Sequence, residues 1–321
     1  MSTPKDQLLN EQDRRIHEKL RRELGAQICA FLEAPDVVEI MLNGDGRLWV
    51  ERIGAPMEHF GHMPAHQAEA IMTTVASVYK TTITRENPIL ECELPLDGSR
   101  FEALIPPIVE GPTFTIRRKA LHVFTLDDYV RDGIMTPRQK DYLVQAIADH
   151  RNILVVGSTG SGKTTLTNAL IAEIASAFPH ERPVIIEDTA ELQCSAKNRV
   201  MLRAVDHVDM LRLLRVTMRM RPDRILVGEV RGGEALALLK AWNTGHPGGV
   251  ATVHADDARL GLLRLEELVS EASVTPRHQT IARSIHCVVF IAKTDTGRRV
   301  KEIVSVHGHD GVDYETTTFE E

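Results

Sequence analysis

From Gln12 to Phe31 apolar residues return at Ile16, Leu20, Leu24, Ile28 and Phe31, a spacing that predicts an amphipathic helix, with Arg14, Arg15, Lys19, Arg21 and Arg22 mostly off the stripe. The period then shortens. Two β-like runs, VVEIML and RLWVE, flank Asn43-Gly44-Asp45-Gly46, a strong hairpin signal. A second helical stripe covers His66 to Tyr79, and strands return between Leu94 and Ile116 around Leu96-Asp97-Gly98 and Gly111-Pro112. Residues 1–118 therefore read as a small α+β domain with a leading amphipathic helix. Arg118 to Pro137 mixes charges with a Gly and a Pro and begins no long element, so residues 119–137 read as a linker.

Beyond Gln139 the pattern changes in kind. Strand runs at Ile153–Val156, Val184–Glu187, Arg224–Val227, Val250–Val253 and Cys287–Ile291 alternate with helical patterns at Lys163–Ala177, His207–Met220, Gly233–Trp242 and Ala258–Glu271. That alternation predicts an α/β domain over residues 138–321, a parallel sheet wrapped by helices. Two strand-like runs around Asp295-Thr296-Gly297 close it, followed by an acidic tail expected to fray.

Composition adjusts this picture in three ways. A chain of 321 residues exceeds what one core usually holds, which agrees with two domains. Its net charge of -7 argues against a surface that grips nucleic acid as a whole, and no sequence-specific nucleic-acid binding is expected. Cys29, Cys92, Cys194 and Cys287 lack CxxC spacing and read as reduced core thiols rather than a disulfide framework or zinc site. The N-terminal segment is polar with both charge signs, and apolar runs such as Cys287–Ala292 are far too short to span a bilayer. A cytoplasmic location follows as the expectation, with any membrane contact peripheral.

The chemistry is concentrated at RNILVVGSTGSGKTTL, where a short apolar strand runs into a phosphate-binding loop, Gly157, Ser158, Thr159, Gly160, Ser161, Gly162, Lys163 and Thr164, followed by Thr165. Such a loop points successive N–H groups at phosphate oxygens and feeds a helix whose N-terminus attracts anions. Lys163 would reach the β- and γ-phosphates of ATP, and Thr164 would place its hydroxyl on Mg²⁺. In a parallel sheet, partner groups belong at the C-terminal ends of neighbouring strands. VIIEDTAE supplies Glu187, Asp188 and Glu191 there, ILVGE supplies Glu229, and VATVH supplies His254. Carboxylates so placed can hold Mg²⁺ through water and deprotonate an attacking water. Gly228 stands where a common second nucleotide motif has Asp, which leaves the base open between Glu229, the favoured residue, and Glu187. Charge on the transferring phosphoryl group calls for arginine, and Arg100, Arg117 and Arg118 flank strands of the first domain. Arg212, Arg215 and Arg219 share a helical face beside Leu211, Leu214 and Met218, the leucines read as core and the arginines as interface or solvated residues.

The segments GSTGSGKTTLTNAL, IIEDTAEL, RMRPDRILVGEVRGGEA and TGHPGGVATVHADDA occur in this order, and from about Leu94 to Ile291 the chain resembles the secretion traffic ATPases of type II and type IV secretion. TLDDYVRDGIMTPRQ and NTGHPGG resemble the conjugal transfer subtype. The resemblance implies a PAS-like N-terminal α+β domain joined to a RecA-like P-loop ATPase domain, with nucleotide in the cleft between them. It also implies a hexameric homo-oligomeric ring, other secretion or conjugation components at the inner membrane as partners, and force taken from ATP hydrolysis. By motif it assigns His246 and His254 to a histidine box, and Arg100 (DGSRF) and Arg117 (TIRRK) to phosphate contact. The box ends HADDA, where Asn is expected in many members at Asp256. No tetracysteine zinc segment is present, which disfavours type II secretion. Two rivals are a P-loop GTPase, on the partial motif Ala292-Lys293-Thr294-Asp295, and a nucleotide-binding ring component without turnover. The first lacks the expected Asn and a spaced DxxG, and the intact Lys163, Thr164 and Glu229 oppose the second.

Overall fold

The computed structural model describes residues 11–118, 123–205 and 207–319. The chain divides into two compact units, Met1–Leu121 and His122–Glu321.

In the first unit the N-terminal stripe folds as α1 (Glu11–Glu33), interrupted at Gly25, whose φ of 82° is not helical. β1 (Val37–Leu42) and β2 (Arg47–Arg52) form the expected hairpin, and β3 (Glu58–His62) adds an edge strand. That edge run, EHFGH, buries little and therefore has no apolar alternation to announce it. After α2 (Ala65–Val78) come β4 (Ile89–Glu93), β5 (Arg100–Leu104) and β6 (Thr113–Arg117). The six strands form one antiparallel sheet in the order β3-β2-β1-β6-β5-β4. Ile40, Val50, Phe101, Phe114 and Ile116 on one face pack with Leu20, Ile28, Ile71 and Met72 from the two helices into a single core.

In the second unit the stretch expected as a linker carries structure. Residues 119–122 lie outside the described residues, but α3 (Leu126–Arg131) follows with a capping box between Thr125 and Asp128. Leu126, Tyr129 and Met135 sink into the same core as Ile153 and Val155. α4 (Pro137–Ala148) starts on a second capping box, Thr136 with Gln139, and Pro at its first turn. Then come β7 (Ile153–Val156), α5 (Lys163–Ala177), β8 (Pro183–Glu187), β9 (Val200–Arg203), α6 (Met210–Thr217), β10 (Arg224–Val227) and α7 (Glu234–Asn243). β11 (Val250–Val253), α8 (Ala258–Ser270), α9 (His278–Ser284), β12 (Cys287–Thr294), β13 (Gly297–His309) and β14 (Tyr314–Thr318) complete the unit.

The eight strands run β14-β13-β12-β7-β11-β10-β8-β9, parallel from β12 to β9 and antiparallel at β13 and β14. This is a RecA-like sheet. β7, β8, β10 and β11 are buried at every residue, because helices cover both faces, which is why they read as unbroken apolar runs. Two expectations need correcting. Up to Phe319 the tail does not fray: β14 pairs along β13, Tyr314 is buried, and its hydroxyl donates to Glu266 Oε1 at 2.6 Å. On α6 Leu214 is buried as expected but Leu211 is only half-buried, the buried residues being Leu213, Leu214 and Thr217. Among the described residues no helix is long and apolar enough to cross a membrane.

Candidate functional site

β7 delivers its chain directly into the glycine loop. A Cβ on Gly157 would stand 2.4 Å from the Ile291 carbonyl oxygen and 2.5 Å from Ser161 Oγ, so only glycine fits. Gly160 and Gly162 have φ of 73° and 101°, the left-handed region that lets the loop curl. Lys163, the first residue of α5, is 8% exposed and folds back on the loop, Nζ donating to the carbonyls of Gly157 (2.8 Å) and Ser158 (3.0 Å). Ser161 is fully buried, and its hydroxyl has no hydrogen-bond partner among the described residues. Ser158 and Thr159 are exposed, and Thr164 and Thr165 are half-buried.

The two candidate bases end strands that are neighbours in the sheet, but their surroundings differ. Glu187 is 3% exposed, and its Oε2 accepts the backbone N–H groups of Glu191 (2.8 Å) and Leu192 (2.9 Å). It thereby shapes the acidic turn that brings Glu191 Oε2 within 3.3 Å of Thr164 Oγ1. Asn168 on α5 fixes the same turn, donating to the Glu191 carbonyl at 3.1 Å and accepting from Gln193 N–H at 2.8 Å. The glycine at 228 also has a cause, since a Cβ there would lie 3.0 Å from Glu187 Cβ.

Glu229 sits in a chain of charges. Arg231 Nε and Nη2 donate to Glu229 Oε2 at 2.9 and 2.6 Å, and Arg231 Nη1 bonds Asp188. His254 Nε2 lies 2.7 Å from Glu229 Oε1, and His254 Nδ1 lies 3.2 Å from Lys163 Nζ. The approach to Oε1 has ion-pair length without hydrogen-bond alignment, so that buried oxygen keeps an unused acceptor position. Burial holds the His254 pKa below the usual histidine value. Glu229 opposes this, while Lys163, Arg231 and Arg264 reinforce it. A neutral ring can accept from Lys163 at Nδ1 and turn Nε2–H toward Glu229.

Lys163, Thr164, Glu187, Asp188, Glu191, Glu229 and His254 are thus brought together at the C-terminal edge of the sheet. His246 is not. It precedes β11, whose Val250 pairs with Ile153 at the start of β7, so it lies at the opposite edge from the loop, with its Nδ1 buried and without a partner. Arg100 and Arg117 belong to the first unit, where they are cross-strand partners on β5 and β6. Arg100 lies 3.8 Å from Glu102 and Arg117 lies 3.4 Å from Glu39. Arg231, which links Asp188 to Glu229, was not singled out in the sequence. Its only signal is a basic residue two places after a strand-end acid, a pattern many loops share.

Thr164 Oγ1 and Glu191 Oε2, 3.3 Å apart, are hard oxygen donors of the kind Mg²⁺ takes. A surface hollow of about 460 Å³ opens elsewhere, beside Thr294, Asp295, Thr296, Arg299, Val300 and Lys301, and no loop residue lines it. The converging side chains, not that hollow, define the site.

The family described as type II/IV secretion system protein matches residues 23–303. The probable conjugal transfer protein TrbB of Sinorhizobium fredii is 52% identical over 292 residues, 91% of this chain and 90% of that protein. The conjugal transfer protein TrbB of Rhizobium radiobacter is 50% identical over 302 residues, 94% of each. Among solved structures, the Legionella pneumophila ATPase DotB superposes with a TM-score of 0.61 at 18% identity, covering 85% of this chain and 78% of that one, a likeness of fold.

Proposed function

Because the chain belongs to the type II/IV secretion system protein family, we propose that it is a traffic ATPase subunit that hydrolyses ATP to ADP and phosphate. The energy would drive conjugative DNA transfer or pilus assembly by a type IV secretion machine. The observation that carries this reading is the convergence of Lys163, His254 and Glu229 at one strand edge.

In this mechanism the N–H groups of residues 158–165 surround the phosphates, and Lys163 leaves the Gly157 and Ser158 carbonyls for β- and γ-phosphate oxygens. Glu229, held by Arg231 at Oε2, would turn Oε1 from His254 to orient water and take its proton as the water oxygen attacks the γ-phosphorus. The bridging oxygen departs with ADP. Glu187 acts beneath the site by holding the turn that presents Glu191 to Thr164. His254 loses its Lys163 partner when nucleotide binds and so reports the γ-phosphate. Mg²⁺, held by Thr164 and reached by the acidic residues through water, would neutralise phosphate charge. The working form is a homo-oligomeric ring of six at the inner membrane, in contact with other machine components.

Phosphate release from ATP and from GTP, measured side by side on the wild type and on Lys163→Ala, tests the proposal. Turnover of ATP that disappears in the variant is expected. Turnover of GTP alone would replace this reading with the GTPase one, and binding without turnover would make the chain a passive ring component.

A further inference from the structure

The loop after β7 is flanked by β11 and β10 on one side and by β12 on the other. Glu229 and His254, which mark the γ-phosphate end, both lie on the β11 and β10 side. A nucleotide seated with its γ-phosphate there runs its nucleoside end out on the β12 side, where the β12–β13 hairpin stands against the loop. The Ile291 carbonyl oxygen lies 2.4 Å from where a Cβ on Gly157 would be, and Arg298 Cδ lies 2.9 Å from where a Cβ on Gly162 would be. Arg298 Nε donates to the Gly160 carbonyl at a long 3.4 Å, while the two terminal nitrogens of this exposed guanidinium make no hydrogen bond among the described residues.

We propose that Arg298 is a nucleotide-binding residue that pairs with the α-phosphate of the nucleotide on its own loop, making the β12–β13 hairpin the wall of the nucleoside side. This rests on the ATPase reading above. A guanidinium on a short, long-bonded tether to the loop rim can swing its terminal N–H groups onto a phosphate with two parallel bonds. Since ADP and ATP both carry the α-phosphate, Arg298 should serve binding of both and leave the chemical step alone.

The test uses the full chain with a fluorescent ADP analogue and steady-state ATP hydrolysis, comparing wild type, Arg298→Ala, Arg298→Gln and Lys163→Ala. Losing this charge-assisted pairing should weaken ADP and raise KM for ATP at least about ten-fold, with kcat within about two-fold. Arg298→Gln keeps a donor for the Gly160 carbonyl but no charge, so it should behave like Arg298→Ala. Wild-type affinity in Arg298→Gln would mean that Arg298 only pins the loop, and would overturn the proposal. So would unchanged KM with reduced kcat, or unchanged ADP affinity in both variants while Lys163→Ala loses it. A wild type that binds no ADP would instead sink the ATPase reading itself.

Discussion

Glu187 and Glu229 offer the same carboxylate at the ends of adjacent strands, and only their hydrogen bonds tell them apart. Glu187 gives an oxygen to two backbone N–H groups inside the core, whereas Glu229 keeps Oε1 open toward His254. Glu187→Gln should therefore act on stability, because a neutral amide accepts those N–H groups less strongly. A loss of about 1–2 kcal/mol in denaturant unfolding is expected, with turnover falling only as the turn at Glu191 loosens. Two histidines set a pH dependence at this scale. His254 is held low mainly by burial, and so is His286, where Arg151 adds to the effect and Nδ1 accepts the Asn152 N–H at 2.9 Å. The unfolded chain then binds more protons than the folded one between the usual histidine pKa and these lowered values. Their contribution to stability is full above about pH 6.5 and is lost as pH falls below it. Melting temperature followed from about pH 8 to about pH 5.5 should fall, and less so in a His286→Gln variant. Residue placement was legible where a motif fixed both residue and backbone, as at Gly157–Thr164. It was not legible for Arg231, whose role depends on Asp188 arriving from a different strand.

At the scale of elements, the parallel strands and their helices were readable because burial on both faces leaves unbroken apolar runs with glycine-rich exits. The misses share a physical cause: short elements that hold by caps and edges rather than by stripes. α3 has six residues and is announced mainly by the Thr125–Asp128 box, and β3 and β14 are edge strands whose outward side chains break the pattern. One buried charge ties the N-terminal edge of the sheet together. Arg224 is fully buried, pairs with Glu181, donates to the carbonyls of Gly248 and Ile147, and lies 4.4 Å from the Phe178 ring centroid. Arg224→Ala strips Glu181 of that partner and leaves a cavity, at a cost of about 3 kcal/mol. In a unit of this size that corresponds to a melting temperature lower by roughly 6–12 °C in calorimetry.

For the whole molecule, two domains were evident from length and from the switch in pattern near Gln139, while the proposed ring of six rests on the resemblance alone. Light scattering after size exclusion should show a six-fold mass with MgATP, and the Lys163→Ala chain should fail to shift on adding nucleotide. An unchanged monomer with nucleotide would contradict the ring. In the proposed mechanism Lys163 holds ATP while Glu229 breaks it. ATP binding and single-turnover phosphate release measured together on Glu229→Gln separate the two roles. Near wild-type ATP affinity with hydrolysis reduced by about a hundred-fold or more is expected, and wild-type hydrolysis in that variant would refute the role given to Glu229.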